Sequence, residues 1–306
     1  KCYFYKSVIT PINYRMSNHT TENAKKTRLP SHLRRPLGRP ADLHAMKSIL
    51  RRRGLHTVCE SARCPNIGEC FSKPTATFMI LGNCCTRRCG VCSGEKARER
   101  LSPDPNEPGN IALTAKELGL KHVVVTSVTR DDLPLGGAEQ FALTIRALRD
   151  NNTKILIEVL TPDFSGNTEA LKAVLDAGPD IFNHNLETVK RLYPVVRPNA
   201  DYSRSLSVLR LAKIRGFFTK SGIMAGFGET DSEVKELLTD LAEAGCDAVT
   251  IGQYLKPGRG NLDVVDYVIE EKFKEYRNYA KEIGITHAYS GPFVRSSYNA
   301  EEIFER

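Results

Sequence analysis

From residue 76 onward the chain alternates two kinds of hydrophobic pattern. Short, nearly unbroken apolar runs at 76–82 (ATFMILG), 122–128 (HVVVTSV), 154–160 (KILIEVL), 180–186 (DIFNHNL), 217–226 (FFTKSGIMAG) and 247–254 (DAVTIGQY) predict buried strands. A seventh, around 285–294, ends the series. Between them, apolar positions recur at helical spacing over 137–150, 168–177, 200–215 and 230–244. Thr230 and Glu233 stand three apart at the head of the last helix, the spacing of a capping box in which each side chain satisfies a free N–H. Gly178, Gly216, Gly245 and Gly284 fall where helices should stop and a left-handed residue is needed. Strand–helix alternation at a ~30-residue period predicts parallel βαβ units. Six such units suggest a (β/α) barrel, partial or complete, and an open doubly wound sheet would share the pattern. Either architecture puts chemistry at the C-terminal ends of the strands.

Composition narrows the class. The longest apolar runs are far short of the ~18 residues a membrane helix needs, and 41% apolar with 26% charged residues is ordinary for a soluble enzyme. The charge of +8 is uneven. Residues 1–58 hold thirteen Lys/Arg against Glu22 and Asp42, a net of +11, which leaves −3 for the rest. The basic character therefore belongs to the N-terminal stretch, including LRRPLGRP and RRR at 51–53, and two readings of it stand. It is a surface that steers an acidic partner or touches nucleic acid, or it is a solvated extension. The stretch lacks the apolar core of a secretory signal, which makes the cytoplasm the default compartment; its Arg-rich, acid-poor make-up keeps an organellar matrix as the alternative.

The cysteines change the picture most. Seven of the nine lie within 34 consecutive residues, in two clumps: CESARCPNIGEC (Cys59 to Cys70) and CCTRRCGVC (Cys84 to Cys92). Without a secretory signal, an odd number of clustered thiols reads as metal binding rather than a disulfide framework. Cys59, Cys64 and Cys70 form C-x4-C-x5-C, and Cys85, Cys89 and Cys92 form C-x3-C-x2-C directly after the first strand. Cys84 adjoins Cys85 and is set aside as a non-ligand; Cys246 opens a buried strand and reads as packing. Triplets matter because a structural zinc site is closed by four ligands, whereas three thiolates on a four-iron cluster leave one iron open. Two zinc sites completed by a histidine such as His56 remain the rival reading. A zinc-stabilised nucleic-acid-binding protein would then follow, with binding that falls steeply with salt.

The C-x3-C-x2-C triplet in the loop after the first strand resembles the signature of the radical S-adenosylmethionine enzymes. More closely, TVCESARCPNIGEC, ILGNCCTRRCGVC, TSVTRDDLPLGGAEQFA, FNHNLETVKRLYPVVRP, KSGIMAGFGET, TIGQYLKP and GPFVRSSYNAEE resemble the lipoyl synthase family, from about Arg28 to the end of the chain. The resemblance implies a partial (β/α)6 TIM-like barrel over 76–284, preceded by a basic arm (1–27) and an extension with the first triplet (28–75). A C-terminal segment (285–306) carries the RSSY motif. It implies two [4Fe–4S] clusters. Cys85, Cys89 and Cys92 would hold the one that works with S-adenosylmethionine, and Cys59, Cys64 and Cys70 an auxiliary one whose fourth iron is bound by Ser297. Gly136 and Gly137 would receive the methionine amino group. Glu158, Asn185 and Arg197, at or beyond strand ends, would contact ribose and carboxylate. The reaction implied is sulfur insertion at C6 and C8 of an octanoyl chain on a lysine of a lipoyl carrier domain, with the auxiliary cluster consumed as sulfur donor. The implied partners are octanoylated carrier domains (2-oxoacid dehydrogenase E2 subunits, glycine cleavage H protein), a ferredoxin- or flavodoxin-type electron donor, and an iron–sulfur carrier for regeneration. Neither nucleic acid nor membrane is among them.

Two departures stand out. Val91 occupies a position usually aromatic in the superfamily, and GRGNLDVVDYV (258–268) replaces a His-x-Pro-Val run. Other sulfur-inserting radical enzymes share the second triplet but not the first together with RSSY.

Overall fold

The computed structural model describes residue 30, residue 33, and residues 40–71, 73–92 and 101–297. The chain divides into two units, Lys1–Arg34 and Arg35–Arg306. Of the first, only Pro30 and Leu33 are described, with the Leu33 N–H donating to the Pro30 carbonyl at 3.0 Å. The expected basic arm at 1–27, Tyr298 of RSSY and the last residues lie outside the described residues.

The second unit opens with α1 (Pro40–Arg52), β1 (His56–Thr57) and two one-turn helices, α2 (Val58–Ser61) and α3 (Ile67–Cys70). Then β2 (Thr75–Ile80), β3 (His122–Ser127), β4 (Leu156–Leu160), β5 (Ile181–Asn183), β6 (Phe218–Ala225), β7 (Ala248–Gln253) and β8 (His287–Gly291) alternate with helices. These are α4 (Glu107–Glu117), α5 (Ala138–Asn151), α6 (Thr168–Asp176), α7 (Tyr193–Val196) with α8 (Tyr202–Ile214), α9 (Asp231–Glu243) and α10 (Glu270–Glu282). Strands β2 to β8 are parallel, each bonded to the next in sequence, and β1 caps the β2 edge antiparallel. A doubly wound sheet would reverse its strand order at a switch point. This order never reverses, which is how a barrel grows, and β8 does not pair back onto β2 among the described residues. The result is six β/α units and a seventh parallel strand in a partial barrel.

The local rules hold where they can be checked. The capping box at Thr230 and Glu233 is formed in both directions, and all four helix-ending glycines have positive φ. The strand cores are apolar because both faces are covered: β3 and β7 are buried almost throughout.

The barrel interior is layered. Glu158, the third residue of β4, is fully buried and accepts hydrogen bonds from Asn183 Nδ2 (2.7 Å) and Lys220 Nζ (3.1 Å), with His122 Nε2 at 3.7 Å. It therefore lies mid-strand, not at a strand end as the sequence suggested, and its carboxylate is engaged inside the protein. Side chains alternate along a strand, so Gly222, two residues beyond Lys220 on β6, faces the same interior. Its β7 partner Thr250 does too, and so does Gly252.

The arginine run also looks different in three dimensions. Arg51 pairs with Glu60 at 3.0 Å and Arg52 with Glu117 at 3.2 Å, and Arg53 also binds Glu117. Part of that charge is compensated within the chain.

A candidate active site built from two cysteine triplets

The second triplet sits in the loop leaving β2, and neighbouring loops hold it. Thr86 N–H donates to the Thr129 carbonyl at 2.9 Å, and the Thr86 hydroxyl reaches Asp131 at 2.9 Å. Arg87, between Cys85 and Cys89, is buried. It grips Asp131 through Nε (2.9 Å) and Nη2 (2.8 Å), reaches Asp163 at 2.6 Å and donates to Ser165 Oγ at 3.1 Å. Burial pulls the pKa of such a guanidinium down, but the two carboxylates hold it well above the ordinary value. Burial would likewise raise the Asp163 and Asp131 carboxyls, yet Arg87 keeps both below theirs.

The far side of the triplet rests on the 258–268 segment. Asn261 Nδ2 donates to the Gly90 carbonyl (3.2 Å) and the Cys92 carbonyl (2.9 Å), and Leu262 N–H donates to Gly90 O at 2.9 Å. A Cβ on Gly90 would lie 2.7 Å from Leu262 Cγ, so glycine is what permits this approach. Val91 packs beside Val196, Phe227 and Tyr254.

Burial pushes the Cys89 thiol up to about 11, against the pull of the Arg197 cation; Cys92, Glu187 and Cys85 add to the rise. The three thiols thus share one neighbourhood with Arg197. Arg197 Nη1 donates to the Asn185 carbonyl (2.8 Å) and to Tyr193 Oη (3.2 Å). Asn185 Nδ2 donates to Glu187 at 3.1 Å, and Asn185 Oδ1 accepts from Ser296 Oγ at 2.9 Å. Gly136 and Gly137 form a left-handed turn at φ 59° and 85°. A Cβ on Gly137 would collide with Leu81 Cδ1, and one on Gly136 would lie 3.1 Å from Phe164. That pair is required by the packing of the turn itself.

The first triplet is split over α2, its following turn and α3. The Cys59 thiol is held well above its ordinary value, first by a hydrogen bond with Cys70, then by burial, then by Cys64. Asn66, between the last two cysteines, donates to the Phe293 carbonyl at 2.7 Å, tying the triplet to the chain's other end. Ser297 lines one pocket with Cys59, Cys70, Phe71 and Lys73. All seven expected iron ligands therefore fall into two groups. Cys84 turns aside to Asn83 Oδ1 at 3.3 Å, and Cys246 is buried packing that donates to the Ala248 carbonyl at 3.1 Å.

These surroundings suit iron clusters and a polar cofactor. Crowded, mutually repelling thiols ionise most readily against a compensating cation, and a coordinating metal deprotonates a thiol outright. Among the described residues no three His, Cys, Asp or Glu side chains converge tightly enough for one metal ion. At the C-terminal ends of β3, β4 and β5, the buried Ser127 Oγ, Thr161 Oγ1, His184 Nε2 and Thr188 Oγ1 have no hydrogen-bond partner in the protein. Such atoms rarely stay unsatisfied, and a polar ligand at the barrel mouth would engage them. His184 was not singled out from sequence. Its Nδ1 meets the Thr161 carbonyl at 2.8 Å, and burial, with Arg197 nearby, lowers it to about 4, so the ring is neutral.

The chain's relatives agree with this geometry. The sequence profile of the Radical SAM superfamily matches residues 79–241, and that of the N-terminal domain of lipoyl synthase of the Radical SAM family matches residues 8–64. The latter match begins within the stretch set apart as a basic arm. Among solved structures, Streptococcus suis SuiB bound to precursor peptide SuiA superposes with a TM-score of 0.56 at 12% identity, covering 86% of this chain and 57% of that one. Methylornithine synthase (PylB) gives 0.52 at 14%, covering 86% and 88%. Both share the fold. A partial parallel barrel with three cysteines after its first parallel strand, matched by that profile over half the chain, defines a radical S-adenosylmethionine enzyme.

Similarity to individual proteins is closer. Lipoyl synthase of Caldanaerobacter subterraneus subsp. tengcongensis is 52% identical over 262 residues, 85% of this chain and 92% of that protein. Those of Rubrobacter xylanophilus and Caldicellulosiruptor saccharolyticus are 53% and 50% identical, over 84% and 90% of this chain and 80% and 98% of their own lengths. The chain belongs to the lipoyl synthase family. Membership makes it an S-adenosylmethionine-dependent, sulfur-inserting enzyme whose cofactors are [4Fe–4S] clusters and S-adenosylmethionine.

Proposed function

We propose that the enzyme inserts sulfur at C6 and C8 of an octanoyl group amide-linked to a lysine of a lipoyl carrier domain. In this reading Cys85, Cys89 and Cys92 hold the cluster that works with S-adenosylmethionine. Cys59, Cys64, Cys70 and Ser297 hold an auxiliary cluster. When bound, the former supplies a 5′-deoxyadenosyl radical able to take hydrogen from unactivated carbon, and the latter supplies the sulfur atoms. The observation that carries the reading is the pocket Ser297 shares with Cys59 and Cys70. A fourth, oxygen ligand from the far end of the chain closes the first site and leaves the second triplet with one corner open.

The chain's own residues have distinct tasks. Arg87 fixes the second triplet's loop from inside, and Asn261 holds its outer edge. Arg197, a half-buried cation beside Cys89, is suited to the carboxylate of S-adenosylmethionine, since a guanidinium binds carboxylates through paired hydrogen bonds. Gly136 and Gly137 shape the turn that faces the methionine end of the cofactor. Glu158 supports the barrel interior from below. The reaction takes place in the cytoplasm. Its partners are octanoylated E2 subunits and glycine cleavage H protein, a ferredoxin- or flavodoxin-type donor, and an iron–sulfur carrier. Among the described residues no helix is long and apolar enough to cross a membrane.

The test uses anaerobically reconstituted enzyme, an octanoyl-lysyl peptide, S-adenosylmethionine and dithionite, with the peptide weighed by mass spectrometry. A peptide that gains two sulfurs and loses two hydrogens supports the proposal. An unmodified peptide accompanied by 5′-deoxyadenosine would move the substrate elsewhere.

A further inference from the structure

Ser297 follows Ser296, and Ser296 is the better-seated of the two. Its hydroxyl donates to Asn185 Oδ1 at 2.9 Å. Opposite stands Gly222, where a Cβ would come within 2.6 Å of Ser296 Oγ, 2.7 Å of Asn185 Oδ1 and 2.9 Å of Thr250 Oγ1. One strand over, a Cβ on Gly252 would run into the Val294 carbonyl oxygen and lie 3.0 Å from Arg295 Nη1. Neither glycine has positive φ, so backbone freedom does not explain them. What they supply is space: a glycine inside a strand marks a place where another backbone comes close. Two glycines on the inward rows of β6 and β7 make a seat, and residues 294–296 occupy it.

The seat is also connected. Asn185 reaches Ser296 with its side-chain oxygen, and its backbone carbonyl accepts from Arg197, the cation beside Cys89. On the other side, Asn66 holds the Phe293 carbonyl from within the first triplet. We infer that Ser296, Asn185 and the Gly222–Gly252 seat are a positioning device that sets the Ser297 hydroxyl at the first thiol site and ties that segment to the Arg197 side of the second. Asn185 thereby acts on the serine segment, a role beside the cofactor contact that its sequence position suggests. The inference rests on the reading of Ser297 as an iron ligand.

The experiment compares Ser296→Ala, Gly222→Ala and Ser297→Ala in the full chain. All carry Cys85→Ala, Cys89→Ala and Cys92→Ala, so that only the first site takes up iron. Each is reconstituted with 57Fe and sulfide. Three readouts are taken: the Mössbauer signature of the cluster, the rate at which a ferrous chelator removes its first iron, and the melting temperature without iron. Ser297→Ala should change the signature and speed iron loss most. Losing the Ser296 hydrogen bond should speed it about five-fold, the worth of one ordinary hydrogen bond. Gly222→Ala, which forces Ser296 and Asn185 apart, should do at least as much, and both should shift the signature toward that of Ser297→Ala. If Ser297→Ala itself changes neither the signature nor the rate, the ligand reading fails and the device with it. If Ser297→Ala changes both while Ser296→Ala and Gly222→Ala leave them as they were, the device alone is overturned. Lower melting temperatures with unaltered iron loss would overturn it too.

Discussion

The two thiol sites are built in opposite ways. The second lies in a single loop, residues 85–92, clamped from inside by Arg87 on Asp131 and Asp163 and from outside by Asn261. Its neighbours are barrel loops that form when the barrel forms. The first is strung over two four-residue helices, too short to persist on their own, and it meets residues from the far end of the chain. Asn66 and Phe293 are 227 residues apart, and one hydrogen bond joins them. A site made within one clamped loop keeps its geometry as long as the barrel stands. A site closed by a distant strand of chain can open at one corner without unfolding anything. That difference fits a cluster that must survive turnover and one that must be taken apart.

The largest effects come from removing each triplet in turn. With Cys59, Cys64 and Cys70 all changed to Ala, the enzyme should keep about half its iron and still make 5′-deoxyadenosine, but the octanoyl peptide should gain no sulfur. With Cys85, Cys89 and Cys92 changed, about half the iron should again remain, now with no 5′-deoxyadenosine at all. Iron analysis and chromatography of the nucleoside separate the two. Equal loss of the nucleoside in both variants would erase the distinction drawn between the sites.

Arg87→Gln should come next. Removing one partner of a buried ion pair typically costs about 3–5 kcal/mol, and here Arg204, 3.3 Å from Asp163, remains as a second cation, so the lower end of that range is expected. Asp163 is fully buried, so the penalty falls on a carboxylate that water cannot reach. The variant, unfolded by urea without iron, should be less stable by roughly that amount at pH 7. Loaded with iron, it should lose metal from the second site before the first. The pH dependence has a definite sign. Arg87 depresses the Asp131 and Asp163 carboxyls, so its stabilisation is full above the ordinary aspartate value of about 4 and fades as pH falls through the lower folded values. The gap between wild type and variant should therefore narrow below about pH 4. A gap that stays constant down to lower pH would mean that Arg87 stabilises the loop by packing alone.

The asymmetry also explains what the sequence could and could not reveal. Strand and helix positions were legible because each rests on local periodicity, and the box at Thr230 and Glu233 on a spacing of three. The second triplet was legible because its ligands are sequence neighbours. For the first, the thiols were visible but the pocket two of them share with Ser297 was not, since no local pattern marks a lone serine near a chain end; only the family resemblance named it. Glu158 was misplaced because a carboxylate in an apolar run looks like a strand end. Here Lys220 and Asn183, from two other strands, meet it inside the barrel. His184 went unnoticed for a similar reason: the burial of its ring, with Nδ1 on the Thr161 carbonyl and Nε2 unpartnered, exists only in three dimensions. Helices α1 and α10 are the most polar of the long helices, and α4 carries a weaker apolar stripe than α5, α6 or α9. Asn261 and Leu262 of the 258–268 segment hold Gly90 and Cys92, a contact with the second triplet that no local pattern announced.

The smallest expected effect concerns the arginine run. Read as sequence, RRR at 51–53 is a free basic patch, and neutralising it should slow the encounter with an acidic carrier domain or electron donor. In the structure Arg51 faces Glu60 next to Cys59, while Arg52 and Arg53 share Glu117 on α4. Counting Lys47, which also reaches Glu60, four positive charges meet two carboxylates at close range, so part of the field is compensated within the ~10 Å screening length at 0.1 M salt. Half-exposed pairs of this kind are worth about 0–1 kcal/mol each. Changing all three arginines to Gln should lower stability by no more than about 1–2 kcal/mol, and the rate with an intact octanoylated carrier at low salt should change by less than about two-fold. A loss of ten-fold or more that vanishes as salt is raised would show the opposite. The run would then face a partner after all, and the ion pairs with Glu60 and Glu117 would be contacts it gives up on binding. Since Arg51 and Glu60 sit beside the first triplet, that outcome would place carrier docking at the end of the molecule where the sulfur is supplied.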